Sequence, residues 1–294
     1  NLYEKGDIKV SKLVMIGAGS TIFVKDLVGD LLTYDELIID KISLVDINKC
    51  KLDVMEKLVE KMCKQEKKNI NIEATTDRRE VLKSADYVVC TIEVGEANIY
   101  EKELLIADKY GVNQNVGDTL GPGGVFRGLR TIPTILEICK DIEELCPDAK
   151  FFNYSNPMCI NSIAIKEATE VEAYGLCHCV PGTEEQIADY LQVPFKRMSC
   201  LCAGITHMGW FLKIEVDGKD AYPMLRKISE AKKMIEEISE RERIYSSSRT
   251  KLIDHVRFEI MKHFGYFVSE SSFHMSEYVP KSRYLNTPCF IKPL

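Results

Sequence analysis

No apolar run in this 294-residue chain is long enough to cross a bilayer. The longest, KLVMIGAG and ADYVVCTI, have strand length, against about 20 residues for a spanning helix. A basic excess is also missing: 39 Lys and Arg stand against 45 Asp and Glu, for a net charge of −6. That balance excludes the electrostatic footprint that nucleic acid or an anionic membrane demands. The opening NLYEKGDIKVSK is polar and shows no secretory leader. Internal repeats and low-complexity linkers are absent, and only five histidines are available as ligands or acid–base groups. The eleven cysteines are too dilute for a disulfide scaffold. Their count is odd, and Cys90 and Cys139 lie in apolar contexts where a reduced thiol acts as a small hydrophobe. The expectation is a reduced, cytoplasmic protein with a small-molecule partner.

What is present is ordinary globular material, 45% hydrophobic and 29% charged. KLVMIGA, KISLVDIN, NINIEATTD and DYVVCTIE read as strands. They alternate with helical stretches such as KCKLDVMEKLVEKMCKQE. Near-continuous apolar strands alternating with helices predict an α/β, Rossmann-type doubly wound parallel sheet. After residue 100 a Gly-rich loop, NVGDTLGPGGVFRG, leads into a helix. AGITHMGWFLKIEVDGKDAYP reads as strand, DGKD turn and strand, and residues 224–264 as charge-rich helix. The expected division is a nucleotide-binding domain over 1–155 and an α+β substrate domain over 156–294.

Four motifs carry candidate chemistry. In GAGS, Gly17 and Gly19 let the backbone turn tightly toward a pyrophosphate at a helix N-terminus, with Ser20 in the same turn. The fingerprint's third glycine is replaced by Ile22, and such turns also occur without a ligand. Asp46 ends the second strand, where a ribose-binding acid belongs. In GDTLGPGG, Asp118 is either a helix cap or an acid over a site, followed by Arg127 and Arg130. In NYSNP, Pro157 forces an extended Asn156, which binds a sugar or nicotinamide or simply holds the turn. In AYGLCHCVPGT, Cys177 and His178 point to opposite sides if the segment is extended. Cys177 could share a divalent ion with His207 of AGITHMGW, whereas Cys179 is most simply a packing residue. His255 and His263 fall on the charged helical stretch and read as solvated.

Taken together, IGAGSTIFVKDLVGD, GDTLGPGGVFRGLRTIP, NYSNPM, GLCHCV, AGITHMGWFL and VRFEIMKHFGYFVSESSFHMSEYVP resemble glycoside hydrolase family 4. They are most similar to its α-galactosidase (melibiase) branch. The handling of sugars in that family departs from the two-carboxylate pattern by using NAD. The resemblance implies a lactate/malate-dehydrogenase-like Rossmann domain, NAD, a divalent metal, usually Mn²⁺, and a homo-oligomer. It implies Cys177 and His207 as metal ligands and Asn156 as a sugar contact. It also implies a cycle of C3 oxidation, C2 deprotonation, elimination, water addition and re-reduction. Asp118 is expected to protonate the leaving oxygen. Tyr266 is the expected base, with Tyr278, Glu270 and His274 in the same segment. Arg127 and His178 are expected to bind substrate. His178 in CHCV stands where phospho-sugar members resemble CDMP or CNVP, which points to a non-phosphorylated α-glycoside.

Three departures from the family pattern stand out: AGITH for AGINH, EVGE (with Glu93 and Glu96) for QVGG, and an end at NTPCFIKPL where family members run on. The last leads to the expectation of an incomplete substrate domain. A silent NAD- or sugar-binding homologue is the alternative, and a 2-hydroxy-acid dehydrogenase a weaker one. The dehydrogenase would leave GLCHCV without a role.

Overall fold

The computed structural model describes residues 11–34, 38–95, 97–112, 114–230 and 254–279. The chain divides into two compact units. Unit 1 comprises Asn1–Glu101 and Gly124–Leu176, and unit 2 comprises Lys102–Gly123 and Cys177–Leu294. Against an expected single cut at 155, the first unit runs on to Leu176, and a segment from the middle of the chain belongs to the second.

Unit 1 carries six strands, β1 (Ser11–Ile16), β2 (Ile39–Val45), β3 (Asn71–Thr75), β4 (Tyr87–Cys90), β5 (Lys150–Asn153) and β6 (Ala173–Gly175). All pair in parallel, in the order 3-2-1-4-5-6. That is the doubly wound order of dinucleotide-binding sheets, with its switch point between β1 and β4. The connecting helices are α1 (Phe23–Thr33), α2 (Lys49–Gln65), α3 (Arg79–Leu82), α4 (Ala97–Lys109), α5 (Gly121–Leu145) and α6 (Met158–Ala168). Sequence reading identified neither α4 nor α6. The apolar strands bury both faces. Val14, Val88 and Phe151 meet Ile135 and Ile138 of α5 on one side. Leu13, Met15 and Leu44 meet Leu52, Met55 and Val59 of α2 on the other. The spacing of those α2 residues puts them on one stripe, and the Asn48 side chain caps the helix by accepting from Lys51 N at 3.1 Å.

GPGGVFRG, expected to be loop, is instead the first two turns of α5. Pro122 falls in the first turn, where its missing N–H leaves no helical bond unmade. Gly123 is required by close approach, since a Cβ there would lie 2.2 Å from the Gly117 carbonyl oxygen.

Unit 2 holds α7 (Cys179–Leu191), β7 (Met198–Ile205), β8 (Met208–Val216), β9 (Lys219–Asp220), α8 (Tyr222–Glu230), α9 (His255–Phe264), β10 (Phe267–Val268) and α10 (Ser272–Tyr278). The antiparallel sheet runs β10-β8-β7, with β9 on β8. Thr206 and His207 form the tight turn between β7 and β8, so His207 ends no strand but sits in a two-residue hairpin loop. Its φ of +59° is uncommon for a residue with a side chain. Phe211, Ile214, Leu225, Phe258 and Phe267 form the core.

One buried polar group ties this core together. Arg257, 2% exposed, donates to Asp254 Oδ1 at 2.5 Å, to Thr183 Oγ1 at 2.9 Å and to Gln186 Oε1 at 2.5 Å. Tyr190 donates to the same Asp254 carboxylate, and Thr183 passes its own proton to the Ser269 carbonyl at 2.7 Å. Helices α7 and α9 and the strand end at Ser269 are thereby joined through one guanidinium.

Candidate functional site

In unit 1 the turn after β1 is built for close backbone approach. Gly17 has φ +89°, and a Cβ there would meet the backbone of Thr91 and Ile92 at 2.8 Å. Gly19 N donates to Asp46 Oδ2 at 2.7 Å, and Asn48 N to Asp46 Oδ1 at 2.8 Å. The Asp46 carboxylate is thus locked beside the glycine turn with lone pairs left for a hydroxyl partner. Ser20 Oγ accepts from Phe23 N, the first residue of α1, at 3.2 Å. Gly17→Ala is expected to cost about 1–3 kcal/mol through the left-handed backbone alone. A lowered melting temperature together with a raised Kd for NAD, measured by calorimetry, checks it.

Arg127 donates to Glu93 at 3.0 Å and lies over the Tyr100 ring at 5.6 Å, so the Glu93 departure supplies this arginine with a counter-charge. Asn156 follows β5, half-buried, before a cis peptide to Pro157. Asn153 Nδ2 and Asn161 Nδ2 both donate to the Ser155 carbonyl and hold this loop. Glu96 lies outside the described residues.

Unit 2 collects a buried polar cluster from four segments. Cys177, just before α7, brings Sγ to 3.5 Å from His207 Nε2 at the hairpin tip. Glu270, after β10, puts Oε2 at 3.5 Å from the same nitrogen. His274, on α10, lies with Nδ1 3.4 Å from Glu270 Oε1 and Nε2 3.4 Å from Asp118 Oδ1. The Ser271 hydroxyl also sits 3.0 Å from His274 Nδ1. His274 Nε2 is buried without a hydrogen bond among the described residues. The two imidazoles meet edge to face at 4.9 Å. Thr119 donates to Asp118 Oδ1 at 2.8 Å and lies 2.7 Å from His207 Nδ1.

The loop bearing Asp118 is fixed by α10. Glu277 accepts from Val116 N and from Gly117 N at 3.1 Å, and Asn115 Nδ2 donates to Ser276 Oγ at 2.5 Å.

The donor set fits a divalent ion. Asp118, His207 and His274 offer ligand atoms within 4.8 Å of one another, as do Cys177, Cys179 and Glu270. Bonds of about 2.0–2.3 Å to sulfur, nitrogen and oxygen place donors about 3–4 Å apart, and Cys177 Sγ and Glu270 Oε2 each lie 3.5 Å from His207 Nε2.

Electrostatics divide the cluster into proton holders and proton-free groups. The Cys177 thiol is held well below its ordinary range, first by the Cys179 thiol hydrogen-bonding to it and then, against burial, by His207. Cys179 is pushed up by the same bond and by burial. Burial lowers His207, but Cys177 and Glu270 outweigh it and leave the ring above its usual value. His274 is likewise raised, with Asp118 and Glu270 overcoming burial. Burial would raise Asp118, yet His274, Thr119 and His207 bring it to about 2.

Several placements differ from the sequence expectations. Asp118, expected as a proton donor, accepts from Thr119 and lies 3.4 Å from His274, and these neighbours hold its carboxyl below the usual range. Tyr266 sits before β10, 44% exposed, its ring edge-on to Tyr222 at 6.0 Å, outside the buried cluster. Cys177 lies between β6 and α7, two residues beyond the end of the strand. Cys179 is more than packing, since its thiol supports the Cys177 thiolate. His178 is exposed at the N-terminal cap position of α7. His263 is exposed beside Glu259, as the solvated reading expects, while the side chain of His255 lies outside the described residues. Thr119 and Glu277 escaped sequence reading. Glu270 and His274, four apart in SESSFH, carried the one available signal.

The family model described as "Family 4 glycosyl hydrolase" matches residues 12–193, and that of its C-terminal domain matches residues 202–292. An α-galactosidase of Bacillus subtilis (strain 168) is 36% identical over 288 residues, covering 97% of this chain and 63% of that protein. An α-galactosidase of Rhizobium meliloti (strain 1021) is 36% identical over 270 residues, covering 92% and 52%. This chain therefore spans only part of the length of these relatives. A 6-phospho-α-glucosidase from gut microorganisms, solved in complex with NAD and Mn²⁺, shares the fold at a TM-score of 0.77 and 20% identity. That match covers 96% of this chain and 64% of the other.

Proposed function

The chain belongs to the family 4 glycosyl hydrolases, and on that premise we propose that it cleaves non-phosphorylated α-glycosides, α-galactosides first among them, with NAD and a divalent metal such as Mn²⁺. The observation that carries this reading is that Cys177 Sγ and Glu270 Oε2 each lie 3.5 Å from His207 Nε2. The α-galactosidase relatives and the NAD- and Mn²⁺-bound neighbour support the choice of substrate and cofactors.

Gly17, Gly19, Ser20 and Asp46 hold the dinucleotide, with the glycines admitting its pyrophosphate and Asp46 accepting from a ribose hydroxyl. Cys177 and His207 hold the metal, and Glu270 is positioned to add an oxygen ligand. When bound, NAD supplies reversible hydride acceptance and the metal polarises a sugar oxygen as a Lewis acid. His274 keeps a proton at buried Nε2, balanced by Asp118 and Glu270, and is the group suited to protonate a leaving oxygen. Asn156 and Arg127 orient sugar hydroxyls. His178, standing where phospho-sugar members resemble CDMP or CNVP, favours a non-phosphorylated sugar.

The test is a panel of p-nitrophenyl glycosides, with the α-galactoside expected to release its sugar only when NAD, Mn²⁺ and a thiol reductant are all present. Solvent deuterium should appear at C2 of the product. Turnover that survives chelation and removal of NAD would sink the reading.

A further inference from the structure

The two ring nitrogens of His207 face different partners. Nε2 lies 3.5 Å from both Cys177 Sγ and Glu270 Oε2, while Nδ1 lies 2.7 Å from Thr119 Oγ1. His207 and Thr119 are 4% and 5% exposed, so water cannot stand in for either partner. Only a ring nitrogen without its proton binds a metal, and a neutral imidazole carries one proton on one nitrogen.

The direction of the Thr119 hydrogen bond decides which nitrogen that is. Thr119 has a single hydroxyl proton, and Asp118 Oδ1 lies 2.8 Å from it. An ionised carboxylate accepts and never donates. The hydroxyl proton is therefore committed to Asp118, and the hydroxyl oxygen is left to accept from His207. The opposite tautomer would set the Nδ1 lone pair against that oxygen and leave on Nε2 a proton that a metal would have to displace.

We propose that Thr119 is the positioning residue that fixes His207 as its Nδ1–H tautomer and turns a bare Nε2 toward Cys177 and Glu270, a role that rests on reading Cys177 and His207 as metal ligands. Asp118, Thr119 and His207 then form a carboxylate–hydroxyl–imidazole chain behind the metal. This is an outer shell of the kind that orients a ligating histidine, with one hydroxyl interposed. His207 needs such a support because its position at the tip of a two-residue hairpin leaves the ring orientation to side-chain contacts.

The test compares the whole chain with Thr119→Val, which keeps the shape and removes the hydroxyl, and Thr119→Ser, which keeps the hydroxyl. Co²⁺ serves as the probe. Thr119→Val is expected to raise the calorimetric Kd for Co²⁺ about 10- to 100-fold and Thr119→Ser to restore it. Spectra of ¹⁵N-histidine in the metal-free chain, at a pH that leaves the ring neutral, should show His207 protonated at Nδ1. An unchanged Co²⁺ affinity in a folded Thr119→Val, or a His207 protonated at Nε2, overturns the proposal. If the valine variant unfolds, the spectrum of the original chain decides alone. A Cys177→Ser chain that still binds Co²⁺ normally would overturn the metal reading, and the tautomer spectrum would still decide the role of Thr119.

Discussion

Cys177→Ser is expected to abolish divalent-metal binding and, with it, glycosidase turnover. Outer-shell losses alone typically cost 10- to 100-fold in metal affinity, so loss of a ligand should exceed about 100-fold. A hydroxyl cannot replace the thiol, because it does not ionise in this pH range, whereas Cys177 is held as thiolate by Cys179 and His207. The same environment sets the pH dependence. Below the raised pKa of His207, a proton occupies the nitrogen that the metal needs. Affinity should therefore fall by about one log unit per pH unit as pH drops below that value, because binding releases one proton. Above it, affinity should level off, since Cys177 is already deprotonated. Calorimetry with Mn²⁺ across pH checks the slope.

Alkylation offers a second readout. Cys177 should react with iodoacetamide in the free chain and be protected by Mn²⁺. Cys139 and Cys200, both pushed up to about 12 by burial, should react slowly under either condition. Equal alkylation of Cys177 with and without the metal would count against the ligand assignment.

Arg257→Met is expected to be the most damaging substitution for stability. It leaves the Asp254 carboxylate buried without its guanidinium, and breaking a buried pair on one side costs about 3–5 kcal/mol. Removing both charges with Asp254→Asn and Arg257→Met should recover part of that loss, because no uncompensated charge then remains. Urea denaturation followed by the fluorescence of Trp210, the sole tryptophan, measures both variants. A double variant no more stable than Arg257→Met would show that the guanidinium's bonds to Thr183 and Gln186 matter more than its charge. The variant should also loosen metal binding, since Arg257 acts through Thr183 on α7, which begins at Cys179, and on the Ser269 carbonyl beside Glu270.

The parts of the site legible in the sequence are those with a local signature. GAGS lies between an apolar strand and an amphipathic helix, and Asp46 ends the next strand; both follow from patterns within about 30 residues. Cys177 and His207 became candidates because histidines are few and the surrounding motifs resemble one family. Thr119 and Glu277 had no such mark. Thr119 meets His207 across 88 residues, and Glu277 reaches Val116 across 161. No spacing rule links positions so far apart.

The protonation states were equally hidden. Asp118 in a Gly-rich stretch reads as an acid over a site, and only the fold supplies His274, Thr119 and His207, which lower its pKa against burial. Tyr266 and His274 lie eight residues apart in one segment, and sequence gave no reason to rank the histidine first. The intervening β10 separates them, leaving the tyrosine against Tyr222 and carrying His274 onto α10 beside Asp118.

By itself, then, the sequence determined the doubly wound sheet, the tight glycine turn after its first strand and the family. Those depend on side-chain periodicity and backbone freedom, which neighbouring residues carry between them. The tertiary structure brought Asp118, Thr119, Cys177, His207, Glu270 and His274 into one cluster. Its properties depend on charges, hydroxyls and desolvation brought together from four distant segments, and they come into being only when the chain has folded.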